Sequence, residues 1–259
     1  MLQLGKIDPH SDRPPFRQIA GILREEIASG RLAPGERLPS EPEMLTHFGV
    51  ARATWRNALQ ELRNEGLIVS MRGLGVFVRA QAPVRRLSSD RFARRNRDKG
   101  NAAFSADAEA SGFAAAVDSI VVRREQPSAL IAERLQIPVT SEVVVRSRRY
   151  LADDRALQVA VSYVPAAFAE GTAIEREDSG PGGIYARLEE SGHRLGRFTE
   201  DVGARMPTPE ERQSLDIDAG IPVLTVSRTA YDTDNVPVEV CDTVIVSDAY
   251  LLEYTFPAT

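Results

Sequence analysis

The 259-residue chain has one cysteine, Cys241, so no disulfide can close within it, which suits a reducing compartment. Histidine is nearly as scarce: His10, His47 and His193 are scattered and have no metal-ligand spacing. No run approaches the ~18 apolar residues of a membrane span, and the opening MLQLGKIDPHSDRPP holds no apolar stretch of signal-peptide length. There is no phosphate-binding loop. Gly73-Leu74-Gly75 precedes a strand pattern, whereas a dinucleotide fingerprint requires a helix there. Cys241 has no histidine near it in sequence and reads as a buried thiol. These absences point to a cytoplasmic protein with no catalytic residues, no metal and no cofactor, and away from membrane-spanning or disulfide-stapled classes.

What is present is enough for a core: 42% of the residues are hydrophobic and 27% are charged. The net charge of -5 is unevenly spread. Residues 1–80 carry 11 Lys/Arg against 9 Asp/Glu, and residues 126–259 carry 12 against 22. That asymmetry predicts two parts with different partners.

The first part reads as three helices and a hairpin. Ile19, Ile22, Leu23 and Ile27 make one apolar face over 16–29, and Gly30 ends it. Ser40 followed by Glu43 is a capping box that starts a second helix, with Pro42 in its first turn. Gly49 stops that helix, and a third runs from about Ala51 to Asn64. "LIVSMRGLGVFV" then reads as strand, glycine turn and strand.

In the third helix Trp55, Ala58, Leu59 and Leu62 recur at i, i+3, i+4 and i+7, so this face packs inward. Arg52 and Arg56 fall on the opposite face, with Asn57 and Gln60 near them and Arg63 continuing the stripe. Two helices joined by a short glycine turn match a helix-turn-helix, whose second helix enters the DNA major groove N-terminus first. Arginine suits guanine O6/N7 and phosphates because its fork donates two parallel hydrogen bonds. The hairpin tip, with Arg72 and Gly73, would be the wing. A solvated helix face is the bland reading of such an arginine pair; the ordered set of cap, turn, pair and hairpin favours DNA.

Residues 80–116 are rich in Arg, Ser, Ala and Gly with little periodicity and read as a linker; its basic cluster at 85–99 is read mainly as solvated. From 117 onward, strands are predicted at 117–124, 142–151, 157–164, 196–205, 223–232 and 237–246, with helices at 128–135, 181–191 and 208–215. Long strands with few helices predict an α+β domain around an antiparallel sheet. The organisation read from sequence is therefore 1–79, a linker over 80–116, and 117–259.

The elements "GRLAPGERLPSEPEML", "FGVARATWRNALQELRNEGLI" and "RGLGVFV" resemble the GntR family of bacterial transcription regulators. The stretches "RRYLADDRALQVAVSYVPA", "IPVLTVSRTAYDTDNVPVEVCDTVI" and "LLEYTF" resemble its HutC branch. The effector domain of that branch, of UTRA type, has a chorismate-lyase-like fold.

The resemblance implies a homodimeric repressor that binds double-stranded operator DNA and whose affinity responds to a small-molecule effector. Carried over by position, Arg52 and Arg56 match DNA-contacting arginines, Thr54 a phosphate contact, Arg72 and Gly73 the wing tip, and Ser40 the cap of the second helix. Arg148 matches the first of two basic residues that hold an anionic group in sugar-phosphate-sensing relatives. Tyr150 stands at the second position, which argues against a phosphorylated ligand. Ser162, Glu200 and Glu239 match pocket-lining positions. An Arg148–Glu239 strand-to-strand salt bridge is the structural alternative.

Two departures bear on DNA: Pro42 replaces a DNA-contacting arginine, and Ala51 replaces a capping Ser or Thr. A repressor without an effector, as in plasmid-transfer regulators, remains an alternative reading. An enzyme of the chorismate-lyase-like fold is the reading the motifs support least, since fold does not carry chemistry.

Overall fold

The structure is a computed structural model. It describes residues 4–71, 73–79, 84–87, 103–217 and 220–255. These fall into two compact units: 4–71 and 73–79 with 220–221, and 84–87 and 103–217 with 222–255.

In the first unit α1 spans Pro15–Ala28, with proline at its first position, where a missing N–H costs nothing. Helix α2 spans Glu41–Phe48 behind Ser40, whose N–H and hydroxyl both donate to Glu43 Oε2, at 2.8 and 2.7 Å. Gly49 ends it at φ 64°, a left-handed conformation that glycine adopts without steric cost. Helix α3 spans Arg52–Asn64 and starts from Ala51 with no side-chain cap.

Strands β1 (Ile68–Met71) and β2 (Gly75–Val78) form an antiparallel hairpin. The chain before α2 adds to it: Leu38 N–H donates to the Val76 carbonyl and Val78 N–H to the Glu36 carbonyl, both at 2.8 Å. One core joins these pieces, with Ile19 and Leu23 of α1, Met44 and Phe48 of α2, and Trp55 and Leu62 of α3, all buried. The predicted apolar stripe of α3 is its buried face: Trp55, Ala58, Leu59 and Leu62.

The second unit is built on six antiparallel strands: β4 (Ala115–Glu125), β5 (Val143–Ala152), β6 (Arg155–Pro165), β7 (Leu195–Arg205), β8 (Val223–Asp232) and β9 (Pro237–Val246). Their order is β4-β5-β6-β9-β8-β7. Long antiparallel strands with side chains alternating between two faces were expected, and the sheet has them.

One face packs against Ile174, Ile184, Tyr185 and Leu188, which come from a 3-10 turn (Ala173–Glu175) and the helix Gly183–Glu190. The other face packs against Ile131 and Leu135 of the helix Ala129–Leu135. The helix Pro209–Leu215 begins with the expected capping box, Thr208 N–H donating to Glu211 Oε2 at 2.9 Å and Glu211 N–H to Thr208 Oγ1 at 3.3 Å.

The segment read as a linker carries more structure than its composition suggested. Strand β3 (Val84–Leu87) pairs in parallel with β10 (Tyr250–Glu253), and a helix spans Ala103–Ala110, with Phe104 buried. Both belong to the second unit. A four-residue strand has too few positions to display a period, and its partner lies more than 160 residues away in sequence. Residues 88–99 of the basic cluster lie outside the described residues.

Candidate DNA-reading face and effector pocket

Helix α3 buries one side and offers the other. Arg52 and Arg56 are 66% and 65% exposed. Thr54 sits between them, half-buried, its N–H donating to the Ala51 carbonyl at 3.0 Å. Arg63 lies on the same side of the helix as Arg52, partly exposed, and is also tethered to the hairpin. Its Nε donates to Ser70 Oγ of β1 at 3.0 Å, and its Nη1 donates to Gln60 Oε1 at 3.1 Å. Gln60 in turn donates to Asn64 Oδ1 at 2.8 Å. These bonds tie the end of α3 to the hairpin, so Arg63 and Gln60 brace the wing. Gly73 is exposed at the hairpin tip with φ 78°, whereas Arg72 lies outside the described residues.

One residue of this face was missed by sequence reasoning. Glu41, the first residue of α2, puts Oε1 2.7 Å from Arg52 Nε and Oε2 4.0 Å from Arg56 Nε. A glutamate eleven residues before Arg52 gave no local signal, because the Gly49 turn is what folds it back.

In the second unit the sheet register draws the predicted pocket residues together. Arg146, Ser162, Cys241, Arg228 and Glu200 pair in succession across β5, β6, β9, β8 and β7. Paired residues share a face, so the five form a row. Glu239 lies two residues along β9 to one side of the row, and Arg148 two residues along β5 to the other. Tyr150 lies beyond Arg148, opposite Gln158. Ser162 and Glu239 are 0% and 1% exposed.

The charges within this group are organised. Glu239 is held by Tyr185, whose hydroxyl donates to Oε2 at 2.5 Å, and faces Arg228 Nη2 at 3.6 Å. Arg228 Nη1 lies 3.9 Å from Glu200 Oε1, and the Tyr254 hydroxyl donates to Glu200 Oε2 at 3.2 Å. Burial disfavours the charged form of Arg228, but Tyr185, Cys241 and the two glutamates outweigh it and hold its pKa above the usual arginine value. Burial pushes the Tyr185 hydroxyl well up, which keeps it a proton donor to Glu239.

The alternative Arg148–Glu239 salt bridge is not formed: Arg228 takes that place. Arg148 Nη2 donates to Ser162 Oγ, and its guanidinium lies 5.9 Å from the Tyr150 ring centroid. Among the described residues no carboxylate is within ion-pair distance of Arg148.

Arg146 does a different job. Its Nη1 donates to the carbonyls of Ile174 and Arg176, and its Nη2 to that of Glu177 at 2.8 Å, which pins the 3-10 turn over the sheet. Burial and the neighbouring Arg148 charge push its pKa down to about 10, still charged at neutral pH.

Arg228 is the member of this charged group that sequence reasoning did not single out. Its signal was the inward alternation Leu224, Val226, Arg228, Ala230, in which one arginine occupies an apolar register. A groove of about 430 Å³ lined by Asp201, Arg205, Ser227 and Asp242 belongs to the reverse face of the sheet and contains none of these residues. Cys241 is buried, as expected. No cluster of three metal-ligating side chains occurs among the described residues, and no helix among them is long and apolar enough to cross a membrane.

Comparison with known proteins follows this division. Residues 15–78 match the family model of bacterial regulatory proteins of the gntR family, and residues 110–251 match the UTRA domain. An HTH-type transcriptional regulator of Streptomyces coelicolor is 31% identical over 94% of this chain and 93% of its own length. The HTH-type transcriptional repressor NagR of Bacillus subtilis is 28% identical over 94% of this chain and 95% of its own.

A solved GntR-family regulator structure covers 96% of this chain and 99% of its own, at a TM-score of 0.63 and 27% identity. The crystal structure of PhnF from Mycobacterium smegmatis, at 23% identity and a TM-score of 0.60, shares the fold over 93% of this chain and all of its own. The two curated relatives are HTH-type transcriptional regulators, not enzymes. With a winged helix-turn-helix that exposes two arginines, and an antiparallel sheet that gathers a polar row on one face, the chain belongs to the GntR family of transcriptional regulators and carries a UTRA effector-binding domain.

Proposed function

We propose that the protein is a homodimeric, cytoplasmic repressor whose grip on operator DNA is set by a small molecule in the UTRA pocket. Arg52 and Arg56 read base edges from the start of α3. Thr54, Ser40 at the head of α2, and Gly73 with Arg72 at the wing place the unit on the phosphate backbone. The observation that carries this reading is the exposed pair Arg52 and Arg56, one turn apart and directly after the Gly49 turn, on a helix whose opposite face is buried. The repressor name of the Bacillus subtilis relative supports the direction of control.

The effector is held by Arg148, Tyr150, Ser162, Glu200 and Glu239, with Arg228 added to that set. Arg148 is its anion-facing group, because its partner is a serine hydroxyl and no carboxylate among the described residues is within ion-pair distance. A homodimer presents two copies of α3 to two half-sites, so the operator is an inverted repeat.

The test is fluorescence anisotropy over a salt series, with duplex DNA from the gene's own upstream region and a scrambled control. The wild type is expected to prefer the upstream duplex. Arg52→Ala should lose about 1–3 kcal/mol on that duplex and much less on the control. An equal loss on both duplexes would remove Arg52 from base reading.

A further inference from the structure

We infer that Glu41 is a positioning residue for base reading: it holds Arg52 and Arg56 over the bases and away from the phosphates. The inference rests on the proposed reading of those two arginines. Its basis is the division of one carboxylate between two guanidiniums, Oε1 toward Arg52 Nε at 2.7 Å and Oε2 toward Arg56 Nε at 4.0 Å.

Three observations separate Glu41 from an incidental surface acid. First, the start of α2 does not need it as a cap, because Ser40 and Glu43 already form the capping box. Second, the other acids near α3 are engaged elsewhere: Glu65 with Arg24 at 2.6 Å, and Glu61 with Arg24 and Arg17 at 3.6 and 4.0 Å. Third, the contact with Arg52 is close without being an aligned hydrogen bond: Glu41 Oε1 is buried and has no hydrogen-bond partner in the structure. The hold is therefore largely Coulombic.

A negative charge among DNA-facing arginines weakens binding to a polyanion unless it does something else. Glu41 comes nearest to Arg52 at Nε. In the base-reading pose the terminal Nη pair matches the O6/N7 edge of guanine. An arginine reading a base in that pose keeps its glutamate contact. An arginine that swings out to a phosphate must give the contact up. The cost of Glu41 thus falls on nonspecific binding more than on specific binding, and the ratio of the two rises.

The test uses the full chain. A duplex recovered by the wild type from a random-sequence pool serves as the site, and a scrambled duplex of equal length as the control. Glu41→Gln removes the charge at constant size. It should tighten binding to the scrambled duplex and steepen its salt dependence by about one to two in slope, one counterion for each arginine freed to a phosphate. The ratio of site to scrambled affinity should fall about fivefold or more, on the scale of one good bidentate contact.

Glu41→Asp keeps the charge, shortens the reach, and should also lower the ratio; it carries the test if the glutamine variant does not fold. Fluorescence of Trp55 reports that this unit is intact. Equal changes on both duplexes would make Glu41 a generic repulsive charge and overturn the inference. Equal weakening with an unchanged slope would make its role structural, which overturns the inference as well. A wild type that recovers no preferred sequence refutes the base-reading proposal itself, and this inference with it.

Discussion

Ala51→Ser should stabilise the DNA-binding unit. Ala51 is the N-cap of α3, with φ -70° and ψ 154°, the extended conformation a capping residue needs. Its carbonyl already accepts from Thr54 N–H at 3.0 Å and Trp55 N–H at 3.3 Å. What it lacks is a side-chain oxygen for the orphan donors of the first turn. Serine supplies one at a position that is exposed, so nothing has to move.

Exchanging Ala for Ser at such a site is worth about 1 kcal/mol, within a range of about 0.5–2. For a unit of this size that corresponds to about 4–8 °C in midpoint temperature. With a urea slope of about 1 kcal/mol/M, the midpoint moves by about 1 M. The assay is built into the chain: Trp55 is its only tryptophan and is 2% exposed in this unit's core, so its fluorescence follows this unit and not the sheet domain. An unchanged or lowered midpoint would refute the reasoning, because it would mean that the first-turn donors are already satisfied.

Other predictions concern the second unit. Tyr185→Phe deletes the hydroxyl that donates to buried Glu239 and should cost about 1–3 kcal/mol in urea unfolding followed by circular dichroism; a neutral result would mean that Glu239 is satisfied without it. Asp232 accepts the N–H groups of Asp234 and Val236 at 3.0 and 2.9 Å and pairs with His193 Nδ1 at 3.1 Å. Burial alone would raise its pKa, but these bonds outweigh burial and hold it below the usual carboxylate value. Its folded pKa is thus lower than its unfolded one. The stabilisation is present above the unfolded value, near ~4, and is lost as pH falls through the folded value. The stability gap between wild type and Asp232→Asn should therefore close below about pH 4; a gap constant from pH 7 to pH 3 would contradict this.

Much of this could be read from the chain because its signals are local. Ser40 with Glu43, Thr208 with Glu211, and Gly49 each settle a helix end within four residues, and the structure places all three as read. The strands of the main sheet are ten or eleven residues long, enough for an alternation to show. Signals that depend on pairing were lost. Val84–Leu87 is a strand because Tyr250–Glu253 lies beside it, and four residues containing two arginines look like linker.

The candidate effector site was partly legible through the resemblance, which named Arg148, Tyr150, Ser162, Glu200 and Glu239. Their convergence, and the place of Arg228 among them, follow from a register that no short window contains. Glu41 was hidden for the same reason: its meaning depends on a partner across a turn. The tie from Arg63 to Ser70 was hidden too, because periodicity gives the face of a helix but not the strand that comes to meet its end.

The row across the sheet also determines how such a pocket can change over time. Arg146, Ser162, Cys241, Arg228 and Glu200 stand side by side only because five strands keep step. Deleting or inserting one residue inside any of those strands would turn that strand's contribution to the reverse face. The chemistry of this face is thus free to drift by exchanging side chains at fixed positions, while changes of length are confined to the connections. A lineage that acquires a new effector should carry its innovations as substitutions at every second residue of β5 to β9, and its insertions in the segment between Ala166 and Arg194.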